Sequence, residues 1–376
     1  MTSLLILSFS SIVADARVLK QVREFASDYE VTTCSYGPAP DGVVDHIRIP
    51  DGLSPHQVDW RLMFLRAYFV SYWKTPAVRF VKRALRGRRF DVILANDLEA
   101  APIAVTERAR RGVHLDLHEY TPLWHEEIPG WMKRRAPYYA WQARRYARRA
   151  RSSTTVGRGI AKAYAKNFGL DPEVVTNAAP YLEVEPGPTR TPIRLVHSGV
   201  CQRNRALMQT VSAVLQTRAD VTLDLYLTPN DPPYLAEIRH VAEASGGRIT
   251  VHEPVPYAQL NETLQKYDVG IVVIPPVNFN YRWGLPNKLF DYVQARLGVI
   301  IGPSPEMVEV VRGRNIGTVT TGYEVVDIVR TLDELTPASV DRWKAESDCH
   351  AAELSAELQI AVWRRAIDRL AGRSAP

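Results

Sequence analysis

Lys288 and Asp291 stand three residues apart, just past a turn marked by Gly284 and Pro286, where Leu289, Tyr292 and Val293 begin a helical spacing. The apolar run 269–274 before them reads as a buried strand that Pro275 and Pro276 stop. Pro286 suits the first helical turn, where its missing N–H is not needed. The free N–H groups of such a turn point towards the carboxyl end of the strand, a place where phosphates bind in open α/β sheets. Lys288 adds a full charge there, and Asp291 can offer a carboxylate to a hydroxyl. A diphosphate with a sugar on either side fits this layout. A strand–loop–helix unit that merely packs, with Lys288 and Asp291 solvated, fits the residue types equally well.

Three further polar groups follow predicted strand ends: Asn96 and Asp97, His118 and Glu119, and Ser198 and Gly199 with Arg203 and Arg205. Any one of them could simply cap a helix or satisfy a loop. Taken together they suit a ligand, and Arg205 with Lys288 supplies two cations for a diphosphate.

The elements that must position these residues alternate strand and helix. In the first half, strands are expected at 4–7, 31–35, 44–49, 92–95, 113–117, near Thr154 and near Val174. A long helix is expected at 58–85, and helix again to about Ala150. The proline-bearing run 183–192 breaks the pattern and reads as a linker. A second alternation follows, with strands at 194–197, 221–227, 249–252, 269–274, 299–301 and 317–319. From Ser339 the chain reads as helical, with Leu354, Leu358, Val362, Ala366 and Leu370 on one stripe. This pattern predicts an α/β protein with two Rossmann-like doubly wound domains facing each other across a ligand cleft. The expected division is 1–188, 189–345, and a C-terminal helical segment, 346–376, packing back across the junction.

A length of 376 residues suits two domains. Cys34, Cys201 and Cys349 build neither a metal-binding spacing nor a disulfide framework, which points to a reducing cytosol. The N-terminus reads as a first strand and not a signal peptide. No Gly-x-Gly-x-x-Gly turn, Walker loop, Gly-x-Ser-x-Gly elbow, His-Glu-x-x-His or Cys-x-x-Cys is present, which argues against dehydrogenases, P-loop enzymes, serine hydrolases and zinc enzymes. The net charge of +6 is concentrated in the first half.

Three blocks then resemble one known family. They are Asp268-Val-Gly-Ile-Val-Val-Ile-Pro-Pro, Leu285-Pro-Asn-Lys-Leu-Phe-Asp-Tyr, and Gly298-Val-Ile-Ile-Gly-Pro-Ser-Pro-Glu306. They are similar to the donor-site block of retaining, nucleotide-sugar-dependent glycosyltransferases of the two-Rossmann (GT-B) class, glycosyltransferase family 4. Asp15-Ala-Arg-Val-Leu-Lys, Asn96-Asp97, Asp116-Leu-His-Glu119 and His197-Ser-Gly-Val with Arg205 resemble that family's other elements in the same order.

The resemblance implies a transferase moving a sugar from a UDP- or GDP-sugar to an acceptor hydroxyl, with no cofactor and no metal. It implies catalytic roles for His118 near the donor sugar and for Arg205 and Lys288 on the diphosphate. Asp291 would meet the ribose, with Ser198, Gly199, Arg203, Pro256 and Asn287 also on the donor. Arg17, Asp97 and Glu119 would meet the acceptor. The chain departs from the family pattern at three places. Asp291 replaces a glutamate, Trp283 stands where a first glutamate is usual, and Asn96 replaces a histidine.

Between Ile128 and Leu170 there is no acidic residue, and the basic stretch from Lys133 to Arg151 is interleaved with aromatics. Such a helix suits an anionic membrane surface and a lipid-linked acceptor, and equally a solvated arginine-rich face. A nucleic-acid partner is not expected, since no accompanying motif is present. The expected location is the cytoplasm, with peripheral contact at the inner face of the membrane. Rival readings are a nucleotide-sugar epimerase or hydrolase of the same fold, and a non-catalytic binding protein.

Overall fold

Leu4, Leu5, Ile6 and Leu7 are all fully buried, as expected of a strand whose sheet is covered by helices on both faces. They form the middle of β1 (Thr2–Ser11) in a computed structural model that describes residues 1–373. The first sheet continues with β2 (Tyr29–Tyr36), β3 (Asp45–Arg48), β4 (Val92–Asn96), β5 (Gly112–Leu117), β6 (Ser152–Thr155) and β7 (Glu173–Val174). Its order is β3-β2-β1-β4-β5-β6-β7, with parallel pairing. The second sheet holds β8 (Ile193–Val200), β9 (Val221–Thr228), β10 (Ile249–His252), β11 (Val269–Val272), β12 (Gly298–Ile301) and β13 (Gly317–Val319). Its order is β10-β9-β8-β11-β12-β13, also parallel. In each sheet the chain winds outward from the first strand and then restarts on its other side. The point of reversal, β1/β4 or β8/β11, opens a crevice at the carboxyl ends of the strands.

Two units result. One comprises Met1–Thr176, Asn278–Asn280 and the chain from Gln359, and the other Asn177–Val277 and Tyr281–Leu358. The first unit therefore ends at Thr176, where 188 was expected, and the run 183–192 goes with the second. Of the expected C-terminal segment, the part from Gln359 goes with the first unit; residues 374–376 lie outside those described. That part belongs to the helix Ala356–Ala371, whose Trp363, Ile367 and Ala371 join Leu4, Ile6, Val92 and Leu94 in one buried cluster.

Two expectations change in physical detail. The long helix expected at 58–85 is three short ones, Trp60–Phe64, Tyr68–Lys74 and Pro76–Ala84. Arg66 takes a left-handed φ of 54° between the first two, and Pro76 opens the third because its ring cannot continue a helix. The C-terminal stripe departs from expectation only at Leu358, which is exposed. Leu354 and Ala366 are buried, Val362 and Leu370 pack against the core, and Trp363 and Ile367 join them there. The helical stretch from Ser339 is two helices, Pro337–His350 and Ala356–Ala371.

Candidate functional site

A cationic cluster forms at the carboxyl end of β8. Gly199 has a φ of +130°, and a Cβ there would stand 2.8 Å from Lys288 Nζ. Glycine thus lets the ammonium approach the strand end. Lys288 lies in the first turn of the helix Asn287–Gln294, with Pro286 as its extended cap. Lys288 Nζ is 3.1 Å from His197 Nε2. His197 Nδ1 lies 2.8 Å from the Ile271 carbonyl oxygen. A carbonyl only accepts, so Nδ1 carries the proton and Nε2 accepts from Lys288. Burial, and then the Lys288 charge, holds His197 well below its ordinary value, so the ring is neutral. Burial, and then the Arg205 charge, pulls Lys288 down to about 7 against the opposing effect of Asp291.

Arg205 ends a 3-10 turn, Arg203–Arg205, and its guanidinium lies 4.7 Å from the centre of the Tyr281 ring. Its Nε is buried and has no hydrogen-bond partner. Such an unmade bond costs about 1–3 kcal/mol, which an incoming anionic oxygen would recover. Arg203 is differently engaged. It donates to both Glu237 oxygens, at 3.0 and 2.5 Å, and stacks over Tyr234. That carboxylate already occupies the guanidinium expected to meet the donor.

The other expected donor residues fall around this cluster. Asp291 is buried and accepts from Tyr257 Oη at 3.4 Å. Pro256 caps the helix Tyr257–Leu264, and Asn287 is exposed at the first position of its own helix. Ser198 donates its backbone N–H to Tyr292 Oη at 3.3 Å. Gly270 makes room for the Tyr292 ring, since a Cβ would come within 2.1 Å of it. Trp283 closes the short helix Phe279–Trp283 and lies under the Arg282 guanidinium.

In the first unit, β4 and β5 bring Asn96, Asp97, Asp116 and His118 together. His118 Nε2 lies 3.1 Å from Asn96 Oδ1 and 3.4 Å from Asp116 Oδ2, and Nδ1 lies 3.4 Å from Asp97 Oδ2. Asn96 Nδ2 donates to Gln21, which identifies Oδ1 as the acceptor offered to His118. Burial opposes the imidazolium, but Asp97 and Asp116 outweigh it and push His118 up to about 9. At neutral pH His118 is therefore a cation and a two-fold hydrogen-bond donor, not a general base.

Arg17 does not stand open to an acceptor. It is buried, with Nε and Nη2 on the Asp116 carboxylate at 2.8 and 2.7 Å and Nη1 on the Val175 carbonyl at 2.7 Å. Gln21 and Thr154 also donate to Asp116. Burial would raise the Asp116 pKa, but Arg17 and His118 overcome it and hold the carboxyl well below the usual range. Arg17 thus neutralises the carboxylate beneath His118. Glu119 lends its backbone carbonyl to Tyr164 Oη at 2.7 Å.

Two groups were given no role by the sequence. His197 entered only as part of the His197-Ser-Gly-Val block, and it sits on a buried strand. Glu99 is buried after β4, and burial, then the nearby Asp97, pushes it up to about 8. His56 Nδ1 lies 4.0 Å from its carboxylate and 3.2 Å from Tyr139 Oη. Among the described residues, no three His, Cys, Asp or Glu side chains gather as a metal-binding group.

Paired doubly wound sheets of this order define the GT-B fold, and solved structures share it along the whole chain. HepE from Anabaena, in complex with UDP and glucose, matches with a TM-score of 0.69 at 12% identity, covering 98% of this chain and 100% of that one. The α,α-trehalose-6-phosphate synthase of Burkholderia multivorans matches with a TM-score of 0.67 at 12% identity, covering 99% of each chain. WaaG, a glycosyltransferase involved in lipopolysaccharide biosynthesis, matches with a TM-score of 0.63 at 11% identity, covering 98% and 100%. No curated protein sequence matches significantly. Residues 14–181 match the glycosyl transferase 4-like domain family. The chain accordingly has the GT-B fold, and its residues 14–181 resemble a glycosyl transferase 4-like domain.

Proposed function

We propose that this protein is a glycosyltransferase that moves a sugar from a UDP- or GDP-sugar to an acceptor hydroxyl with retention of configuration and without a metal. The observation that carries this reading is the pairing of Lys288 with a neutral His197 beside Gly199, together with the unsatisfied Nε of Arg205. Breaking the anomeric C–O bond sends its electron pair to the diphosphate. Lys288, Arg205 and the helix N-terminus at Asn287 oppose that charge, the role of preorganised electrostatics in catalysis. The acceptor oxygen bonds to the anomeric carbon on the face the diphosphate leaves, and its proton passes to a leaving phosphate oxygen. Asp291 and Tyr257 offer partners to a ribose. In the first unit, His118 offers N–H donors to sugar hydroxyls, and Asp97 and Glu119 offer acceptors to the incoming alcohol.

HepE has been solved with UDP and glucose, and WaaG acts in lipopolysaccharide biosynthesis. We take from them a nucleotide-sugar donor and an envelope polysaccharide or glycolipid product, made at the cytoplasmic face of the membrane. No helix among the described residues is long and apolar enough to cross a membrane. The test is a thermal-shift panel of UDP and GDP. A nucleotide at about 100 times its Kd should stabilise the protein by about 2.7 kcal/mol, seen as a rise in Tm. No shift with either nucleotide, or an undiminished shift in Lys288→Ala, would refute the proposal.

A further inference from the structure

The basic helix of the first unit has an apolar neighbour. The helices Trp60–Phe64 and Tyr68–Lys74 bury Met63, Ser71 and Tyr72. Trp60, Phe64, Leu65 and Phe69 are instead exposed at 68, 71, 71 and 54%. Trp60 and Phe64 lie one helical turn apart, so they share a face. Four large exposed apolar side chains between residues 60 and 69 mark an interaction surface.

Where this segment meets the basic helix Pro129–Arg145, Tyr68 packs on Tyr138 and Trp141, with ring centres 5.8 and 6.1 Å apart. A pocket of about 490 Å³ opens there, lined by Arg66, Tyr68, Pro137, Trp141, Arg144 and Arg145. Its three arginines are exposed residues, and none is ion-paired to a carboxylate among the described residues. The Arg144 guanidinium lies 5.4 Å from the centre of the Phe168 ring, and that of Arg145 lies 5.9 Å from the centre of the Tyr146 ring.

We infer that this face docks on an anionic phospholipid bilayer, with Trp60, Phe64, Leu65 and Phe69 entering the headgroup boundary and the arginine pocket holding a lipid phosphate. Aromatic rings favour that boundary, basic side chains are drawn to anionic leaflets, and guanidinium grips phosphate in two-point fashion. A second copy of the chain is a poor occupant, because it would bring two rows of arginines together. This inference deepens the membrane part of the proposed function and does not depend on donor chemistry.

Flotation with phosphatidylcholine vesicles, with and without about 30% phosphatidylglycerol, tests it. The wild type should bind the anionic vesicles at low salt at least about tenfold more than the neutral ones. The triple variant Trp60→Ser, Phe64→Ser, Phe69→Ser should lose about tenfold of the binding that survives high salt. The variant Arg66→Gln, Arg144→Gln, Arg145→Gln should lose the preference for anionic lipid. The UDP thermal shift, measured on the same samples, reports that each variant is folded. It also separates the two readings: vesicle binding without a UDP shift sinks donor binding alone. Wild type that stays with the solvent at low salt, or triple variants that float like wild type, would overturn the docking face. So would a wild-type dimer that the serine variant dissociates.

Discussion

Lys288 Nζ donates to His197 Nε2 across 3.1 Å, and that ring is made an acceptor by giving its Nδ1 proton to the Ile271 carbonyl. A carboxylate in the same place would hold the lysine but cancel its charge. A neutral imidazole holds it and leaves the charge for a ligand.

The first prediction follows from the sign of the Lys288 shift. With no ligand its pKa is about 7, and a bound diphosphate must raise it. Binding therefore takes up a proton above pH 7, and UDP affinity should fall by up to about tenfold per pH unit from 7 to 9. Calorimetry at several pH values measures this. In Lys288→Ala the dependence should flatten, and a wild-type slope there would remove Lys288 from the diphosphate.

Lys288→Ala should lower sugar transfer about 10²–10³-fold while Tm stays near the wild-type value, the size of effect seen when one preorganised charge-stabilising group is removed. Transfer rates with a labelled donor and circular dichroism give the two readings. A collapse of the fold with proportionate loss of activity would assign the lysine to packing.

Gly199→Ala should act on the same ammonium from the other side. The added methyl would stand 2.8 Å from Lys288 Nζ, at a backbone φ of +130°. A loss of about 1–3 kcal/mol of stability from the backbone is expected, together with weaker UDP binding. Unchanged UDP affinity would show that Lys288 relocates freely.

Arg17→Ala should destabilise the protein by about 3–5 kcal/mol, because it leaves the Asp116 carboxylate buried and without its main counter-ion. Urea unfolding tests this. A fully stable variant whose only defect is a raised acceptor KM would restore Arg17 to the acceptor site.

His118 should make stability depend on pH in the opposite sense to a buried carboxylate. Its folded value of about 9 exceeds the ordinary value near 6.5. The stabilisation is complete below about pH 6.5 and is lost as pH rises through 9, on the order of 1–3 kcal/mol in all. The wild type should converge on His118→Gln over that range in urea midpoints. Parallel curves would mean that the imidazole is neutral.

The strand order and the pairing of polar residues with strand ends were legible because buried parallel strands read as unbroken apolar runs and prolines mark their ends. Lys288 was legible from the turn before it. The Arg17–Asp116 ion pair was not legible, because the position of Arg17 on the first helix carries no sign of a carboxylate from a strand far along the chain. The Arg203–Glu237 pair was hidden for the same reason. His197 and Glu99 were given no role because their chemistry comes from burial, which no local pattern announces. The three-way split at 58–85 depended on the left-handed turn at Arg66, a residue type that does not advertise one.

The helix Ala356–Ala371 has a consequence for the birth of the protein. Trp363 donates Nε1 to Thr154 at 3.2 Å and lies beneath the Arg17 guanidinium, and Arg364 pairs with Glu24. The ribosome makes this helix only after every strand of the second sheet. The first sheet therefore emerges with part of its apolar side uncovered and waits for that helix throughout translation. During that interval the uncovered apolar side is open to association with other chains.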